Sequence, residues 1–582
     1  MSTQSFHTIA KPAIESFEVT PNFNHADAAE FGWDQVYGEM DWLPGGGLNQ
    51  AHEAIDRHAN GRLRDKVAMI WVGRAGERQE YTFGQMKTQS DRFAGVLQSL
   101  GIETGDRVSI LLERIPELYI AFLGILKTGA IAGPIFADTG PETIREVLRD
   151  SGAKVLITNP EIRRRISSVL PELFDLQHIV VVNRAGRDPA LTGSQDLDFY
   201  QEMEKAPADF SIANTSAYDF AVMNYTSGAT GEPRAVVHRH QACVQHKATG
   251  RWALDLHQDD IYWCTADPGW ATGTSYGITA PWTNGITQLI YQGPFRASDW
   301  YALIEKHKVS VWYTAPTAIR MLMNAGDALP REYDLSSLRF AASVGGPLAP
   351  SEVVWGQAAI GAPFHDSWWQ TETGAIMCAN YASMPIKPGS MGKPMPGFQI
   401  AIVDEQGKEL PAGEEGQIAV KIKPVRPLGL FQEYWKDDEA MERSFLGDWY
   451  LTGDKAYRDE DGYFWFVGRA DDVIISAGYR IGPFEVESAL IEHPAVAESA
   501  VVASPHPVRG EIVKAFVILS PGYVSSDELV VSLQDHVRNA TAPYKYPRAI
   551  EFVTELPKTV SGKIRRVELR EAEFQKGGQA PA

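Results

Sequence analysis

The chain has 582 residues, 44% of them hydrophobic and 22% charged. That is beyond the size at which one core stops growing, so two or more domains are expected. Its formal net charge of −20 excludes the basic field of a general nucleic-acid binder, and the composition excludes collagen-like, disordered and disulfide-scaffold chains. Anionic ligands must therefore be met by local cations, helix N-termini or a metal ion.

The segment Ser2 to Glu15 contains Lys11 but no apolar run of the kind a secretory signal needs. Val108 to Leu112 reads as a strand and Glu117 to Thr128 as a helix. The richest apolar stretch, Leu118 to Ala137, is broken by Gly124, Lys127, Gly129 and Gly133, which predicts a buried helix running into a strand rather than a membrane span. Lys154 to Thr158, His178 to Val182, Gln288 to Tyr291 and Val309 to Tyr313 repeat the strand type. The alternation is that of an α/β fold with largely buried sheets. The 3 cysteines, Cys243, Cys264 and Cys378, are far apart and form no zinc pattern, as expected of reduced thiols in a cytoplasmic protein. The C-terminal stretch looks like a separate small α/β unit, with strands at Asp472 to Ser476, Val496 to Val502 and Lys514 to Leu519 and helices at Phe484 to Glu492 and Ser526 to Asn539. The pivot between the two units is placed at Ala470-Asp471, dividing the chain into 1–470 and 471–582, with an N-terminal extension over 1–60.

The sharpest feature is Tyr225-Thr226-Ser227-Gly228-Ala229-Thr230-Gly231-Glu232-Pro233-Arg234, which follows the strand-like Phe220 to Asn224. Hydroxyls and backbone N–H groups of such a loop can wrap a phosphate, and its glycines permit the close approach. It is not a Walker A loop, because Gly231 is followed by Glu232 and Gly562-Lys563 by Ile564.

From about Phe31 to Arg570 the chain resembles the adenylate-forming superfamily of acyl-CoA synthetases, adenylation domains and luciferases, in its acetate-type form. Asp366-Ser367-Trp368-Trp369-Gln370-Thr371-Glu372-Thr373-Gly374, Trp263 to Trp270, Trp449 to Asp454, Gly468 to Asp472 and Pro557 to Lys563 carry the likeness and occur in the family's order. Trp33 to His58 is similar to the extension of acetate-type members. The resemblance implies a large N-terminal domain of stacked α/β subdomains with a β-barrel-like portion, plus a small mobile C-terminal α/β domain. It also implies a reaction: a short carboxylate is activated as an acyl-adenylate by ATP with Mg²⁺, then passed to coenzyme A. No nucleic acid and no membrane partner is expected.

Roles follow residue by residue from the resemblance. Lys563, Thr371 and Glu372 are the catalytic set, with Glu372 on the metal. Thr226, Ser227, Gly228, Thr230, Gly345, Gly346, Pro347, Asp366, Trp368, Gln370, Thr371, Asp454, Arg469 and Arg480 would hold the nucleotide. Trp270, Ala271, Thr272 and Val344 would wall the acyl pocket, with Trp369 as the floor that limits chain length. Arg163, Ser476, Ala477, Gly478 and Arg538 would meet coenzyme A, and Asp471 would be the hinge. In this family the lysine equivalent to Lys563 is a target of acetylation, so a lysine acetyltransferase and deacetylase are partners to test.

Several positions depart from the pattern. Ala229 replaces a Ser or Thr, Arg234 a Lys, Ala235 a Gly, Gly346 a Glu and Ala271 a Val. The last enlarges the acyl pocket by about two methyl groups, worth ~1–3 kcal/mol per methylene in discrimination. Propionate or a small hydroxy acid therefore stands beside acetate, and transfer to a carrier protein stands beside transfer to coenzyme A.

Overall fold

The computed structural model describes residues 6–24, 31–185, 193, 195–227, 233–476, 479–507, 509–559 and 563–576. A large N-terminal domain is built on two mainly parallel sheets. One has nine strands, in which Phe364–Trp368, Phe340–Ser343, Val311–Thr314, Ile261–Cys264, Thr287–Tyr291 and Val67–Val72 lie side by side in parallel. The other has eight, with Phe220–Ser227, Ile131–Ile135, Arg107–Leu111, Val155–Thr158, His178–Val181 and Asp196–Asp198 parallel in that spatial order. A five-stranded antiparallel sheet centred on Trp449–Arg458 completes the domain.

The strands expected from β-branched runs form, and so does the helix of the apolar stretch. That helix, Pro116–Lys127, starts with proline at its first turn, which costs no hydrogen bond there, and Gly129 at φ +77° turns the chain into the strand Ile131–Ile135. Lys127 is fully buried, yet its ammonium lies 2.8 Å from Asp56 and 2.6 Å from Asp91, so two carboxylates offset its desolvation. Asp56 precedes the first strand of the nine-stranded sheet, and this ion cluster ties that segment to the core. Further upstream, Phe31 packs on Trp252 at 5.0 Å and Trp33 on Phe398 at 5.4 Å. Among the described residues, no helix is long and apolar enough to cross a membrane.

The small C-terminal domain has its own five-stranded sheet and its own apolar core. Helices Pro483–Ile491, Asp527–Ala540 and Arg566–Lys576 accompany it. Its two long strands, Val496–His506 and Gly510–Leu519, pair as a hairpin out to His506 opposite Gly510, further than their apolar runs alone predict. Polar residues at a solvated hairpin end carry no hydrophobic signal but still pair through the backbone.

Candidate active site

The loops that follow Cys264, Thr314, Ser343 and Trp368 all leave the same edge of the nine-stranded sheet, the carboxyl end where parallel sheets hold their ligands. Adjacent parallel strands put their loops side by side, so segments remote in sequence meet there. Three of them carry predicted motifs: Thr265 to Trp270, Val344 to Pro347, and Trp369 to Gly374.

Trp368 and Trp369 lie on a strand and at its exit and so point to opposite sides. The Trp368 indole donates to Asp454 Oδ2 at 3.0 Å, and Gln370 Nε2 donates to the same oxygen at 2.7 Å. Tyr450 in turn donates to Gln370 Oε1 at 3.2 Å. Asp454 is buried, which raises its pKa, while Arg469 and these donors work the other way. The Trp369 indole donates to the Tyr313 hydroxyl at 3.2 Å, which is 2.9 Å from Ser367 Oγ, and Tyr276 packs edge-on against it at 5.3 Å. A bonded and edge-packed indole is a fixed wall. Val344 and Ala271 are buried beside this edge, and Thr272 is buried with a hydroxyl that meets no hydrogen-bond partner.

The turn carrying Thr371 and Glu372 is held through its carbonyls. His238 places Nε2 2.8 Å from Thr371 O and Nδ1 3.0 Å from Gly429 O, and burial lowers its pKa to about 4. His246 Nε2 lies 2.9 Å from Gly374 O, which also accepts from Ser275 at 3.0 Å. Gly374 has φ +72°, and a Cβ there would fall 2.1 Å from Gly429 O, so only glycine closes the turn. The Glu372 carboxylate accepts from the Tyr434 hydroxyl at 3.0 Å. Arg234, which closes the Gly/Ser/Thr-rich segment of the sequence, pairs with Asp437 at 3.0 Å and lies over the Tyr434 ring at 4.8 Å, so its guanidinium already has a protein partner.

Lys563 comes from the small domain. Its hairpin closes through Thr559 N to Lys563 O at 2.8 Å and Arg565 N to Pro557 O at 2.8 Å. The residue as a whole is exposed, but its ammonium lies 5.5 Å from the centre of the Trp270 ring. Loss of solvent and the Arg469 charge lower its pKa, and Asp454 and Glu372 oppose that shift. The ammonium thus shares one electrostatic environment with the nucleotide-binding candidate Asp454 and the metal candidate Glu372. The edge of the Trp270 ring lies against Gly345, which has φ +92°. A Cβ there would meet the ring at 2.3 Å. Beside it, a Cβ at Gly346 would meet nothing nearer than Pro316 at 4.0 Å.

Other predicted residues stand apart. Arg480 is exposed and lies 3.9 Å from Glu405 rather than among phosphate-binding groups. Arg163 forks onto Asp196 at 2.8 and 3.2 Å, so its guanidinium is already occupied. Arg538 pairs with Asp535 and lies over the Tyr546 ring at 4.2 Å. Asp366 sits buried in its strand with Oδ1 unpartnered, and Ser476 is buried at the end of a small-domain strand. Thr226 is paired across from Arg234, and Ser227 across from Pro233. Gly228, Thr230, Ala477 and Gly478 lie outside the described residues. Sequence reasoning missed Tyr434, Tyr313, Tyr276 and His238, whose partners are far off in the chain. No local pattern marks them.

Residues 55–435 match the family described as AMP-binding enzyme, and residues 485–563 its C-terminal domain. The chain belongs to the AMP-binding enzyme family. It is 46% identical to the acetyl-coenzyme A synthetase of Bacillus subtilis over 559 residues, 96% of each chain. It is 39% identical to the mitochondrial acyl-coenzyme A synthetase ACSM3 of Mus musculus over 90% of this chain and 91% of that one. Among solved structures, the Brucella canis acyl-CoA synthetase superposes with a TM-score of 0.74 at 38% identity, covering 95% of this chain and 99% of that chain. The anthranilate CoA ligase AuaEII in complex with anthranoyl-AMP superposes at 0.83 with 32% identity over the same shares.

Proposed function

We propose that this AMP-binding enzyme is an acyl-CoA synthetase whose acid is acetate. It is an acid–thiol ligase that uses ATP, Mg²⁺ and coenzyme A and works through an acyl-adenylate. In the first step a carboxylate oxygen attacks the α-phosphorus of ATP, the bond to the bridging oxygen breaks, and pyrophosphate leaves. In the second the thiol sulfur attacks the acyl carbonyl and AMP leaves. Catalysis of the first is mostly positioning and neutralisation of charge. Asp454, steadied by Trp368 and Gln370, is assigned to the ribose hydroxyls, because an ionised carboxylate accepts two hydrogen bonds. Lys563 supplies the mobile positive charge at the α-phosphate. A hard oxygen donor suits Mg²⁺, which takes one or two carboxylates plus phosphates, and the Glu372 carboxylate, oriented by Tyr434, fits it. When bound, the ion would neutralise the triphosphate.

The hinge is assigned to Asp471, with the small domain beginning there. Rotation about it would withdraw Lys563 and bring up the Ser476 to Arg480 segment, which agrees with the remoteness of Arg480 in the present arrangement. The exposed hairpin also offers Lys563 to a lysine acetyltransferase and deacetylase. Peptide mass spectrometry after incubation with such a transferase tests this, and an unmodified Lys563 would remove it.

The observation that carries the acetate reading is the Trp369 indole, pinned by Tyr313 and Tyr276. ATP–pyrophosphate exchange measured across C2 to C6 acids, with coenzyme A-dependent AMP release beside it, tests the reading. A preference for C5 or C6 acids would overturn it. A second reading, a small hydroxy acid, is favoured by the unpartnered Thr272 hydroxyl and by the room left by Ala271. The same assay with glycolate decides between them.

A further inference from the structure

We infer that Tyr313 is a specificity-determining positioning residue: its hydroxyl fixes the Trp369 indole through a hydrogen-bond relay that runs in one direction only, and so sets how long an acid the pocket admits. The inference rests on the reading of Trp369 as the floor of the acyl pocket. The Trp369 Nε1–H donates to the Tyr313 oxygen at 3.2 Å. That oxygen is 2.9 Å from Ser367 Oγ, and Ser367 Oγ donates to the Ser343 carbonyl oxygen at 2.7 Å.

The ends of the chain settle its polarity. An indole N–H only donates, and a carbonyl oxygen only accepts. Ser367 gives its single proton to Ser343, so it accepts from Tyr313. Tyr313 gives its single proton to Ser367, so it stands as an acceptor toward the indole. Reversing the middle link would leave Tyr313 with two donors aimed at it and its own proton without a partner. Tyr313 and Ser343 are fully buried and Ser367 nearly so, which keeps competing water out. Burial also pushes the Tyr313 phenol well above its ordinary range, so the proton the relay needs stays in place.

Two further observations tie the relay to the pocket. Tyr276, the other tyrosine on the indole, cannot stand in for Tyr313. Its hydroxyl accepts Ile376 N at 2.6 Å and pairs with Thr249 Oγ1 at 2.7 Å, and its ring meets Trp369 edge-on. Among the described residues, Tyr313 is the one hydrogen-bond acceptor of the Trp369 indole. The far end of the relay is the peptide group joining Ser343 to Val344, and Val344 N donates to Thr314 O at 3.0 Å. The candidate floor and the candidate wall Val344 are therefore held by one chain strung across three neighbouring strands. Edge packing restrains the plane of an indole, while a bond at Nε1 also fixes its rotation within the pocket. Without the hydroxyl, a shielded N–H has no partner and the ring turns toward water. A floor that turns no longer stops a longer chain.

The test uses the full-length Tyr313→Phe, Ser367→Ala and Trp369→Phe enzymes and the Tyr313→Phe/Trp369→Phe double variant. ATP–pyrophosphate exchange is measured with acetate, propionate and butyrate. Tyr313→Phe keeps the ring and is expected to raise kcat/KM for propionate relative to acetate roughly fivefold, the size of one hydrogen bond's net effect, with a higher KM for acetate and an unchanged KM for ATP. A purely structural defect would lower kcat for every acid alike and leave that ratio unmoved. Ser367→Ala removes the anchor but keeps the acceptor, so it should raise the ratio by a smaller factor; it also serves if Tyr313→Phe does not fold. In the Trp369→Phe background, which lacks the donor, Tyr313→Phe should change the ratio by less than about twofold. An unmoved ratio in the folded single variants, or the same shift in both backgrounds, would overturn the relay. If Trp369→Phe leaves the chain-length profile unchanged, the floor reading falls and takes the relay's role with it. If it moves the profile and Tyr313→Phe does not, only the relay falls.

Discussion

The proposed acyl floor and the proposed lysine hairpin are built in opposite ways. Trp369 is reached by a buried strand, bonded to Tyr313 and wedged by Tyr276. Lys563 stands on an exposed hairpin of a different domain, and its ammonium lies over the Trp270 indole face. In the proposed reading one element measures the substrate, which an immobile wall suits. The other delivers a charge for one step and then departs, which a light tether suits.

The largest expected effect tests the delivery side. Lys563→Ala should lower acetate-dependent pyrophosphate exchange roughly 10²–10³-fold, as removal of a charge-stabilising donor does elsewhere. It should still convert supplied acetyl-adenylate to acetyl-CoA. Retained exchange would show that the hairpin delivers nothing. Asp471→Pro should do the reverse, leaving exchange near wild type and reducing thioester formation by about a hundredfold. Equal loss in both half-reactions would break the contrast between a fixed site and a moving arm. On the measuring side, Trp369→Ala should shift the preferred acid from C2 toward C4 to C6, by roughly tenfold or more in relative kcat/KM for each added methylene accommodated. An unchanged chain-length profile would move the floor elsewhere.

The smallest effect is in pH. Burial and the neighbouring Arg469 hold the Lys563 pKa below the ordinary lysine range. In the proposed role the lysine acts as a cation, so kcat/KM for exchange should be full below that lowered pKa and fall as pH rises through it. The alkaline limb should therefore lie below the ordinary lysine range, and it should be absent from the adenylate-to-thioester step. Coincident limbs for both steps would assign the titration to another group.

What the sequence makes legible divides along the same line. Strands with β-branched runs, the glycine that ends Pro116–Lys127 and the ordered motifs at the sheet edge are local in the chain, and periodicity or spacing records them. The groups that finish the site are not local. Tyr434 meets Glu372 across 62 residues, and Tyr313 meets Trp369 across 56. Nothing in the neighbourhood of either tyrosine distinguishes it from core. Arginines mislead for a related reason: Arg163 and Arg538 look available in sequence, but Asp196 and Asp535 occupy them. A cation's partner is a property of the fold.

Gly345 and Trp270 carry one more consequence. Because the indole occupies the space a side chain at 345 would need, at 2.3 Å from its Cβ, the two positions are mutually exclusive in volume. A side chain at 345 first needs a shorter residue at 270, and even then it sits at a strained φ of +92°, whereas 270 can be shortened with Gly345 unchanged. A combinatorial library that pairs a shortened residue at 270 with alanine or serine at 345 explores sequence space that one-at-a-time mutagenesis never enters.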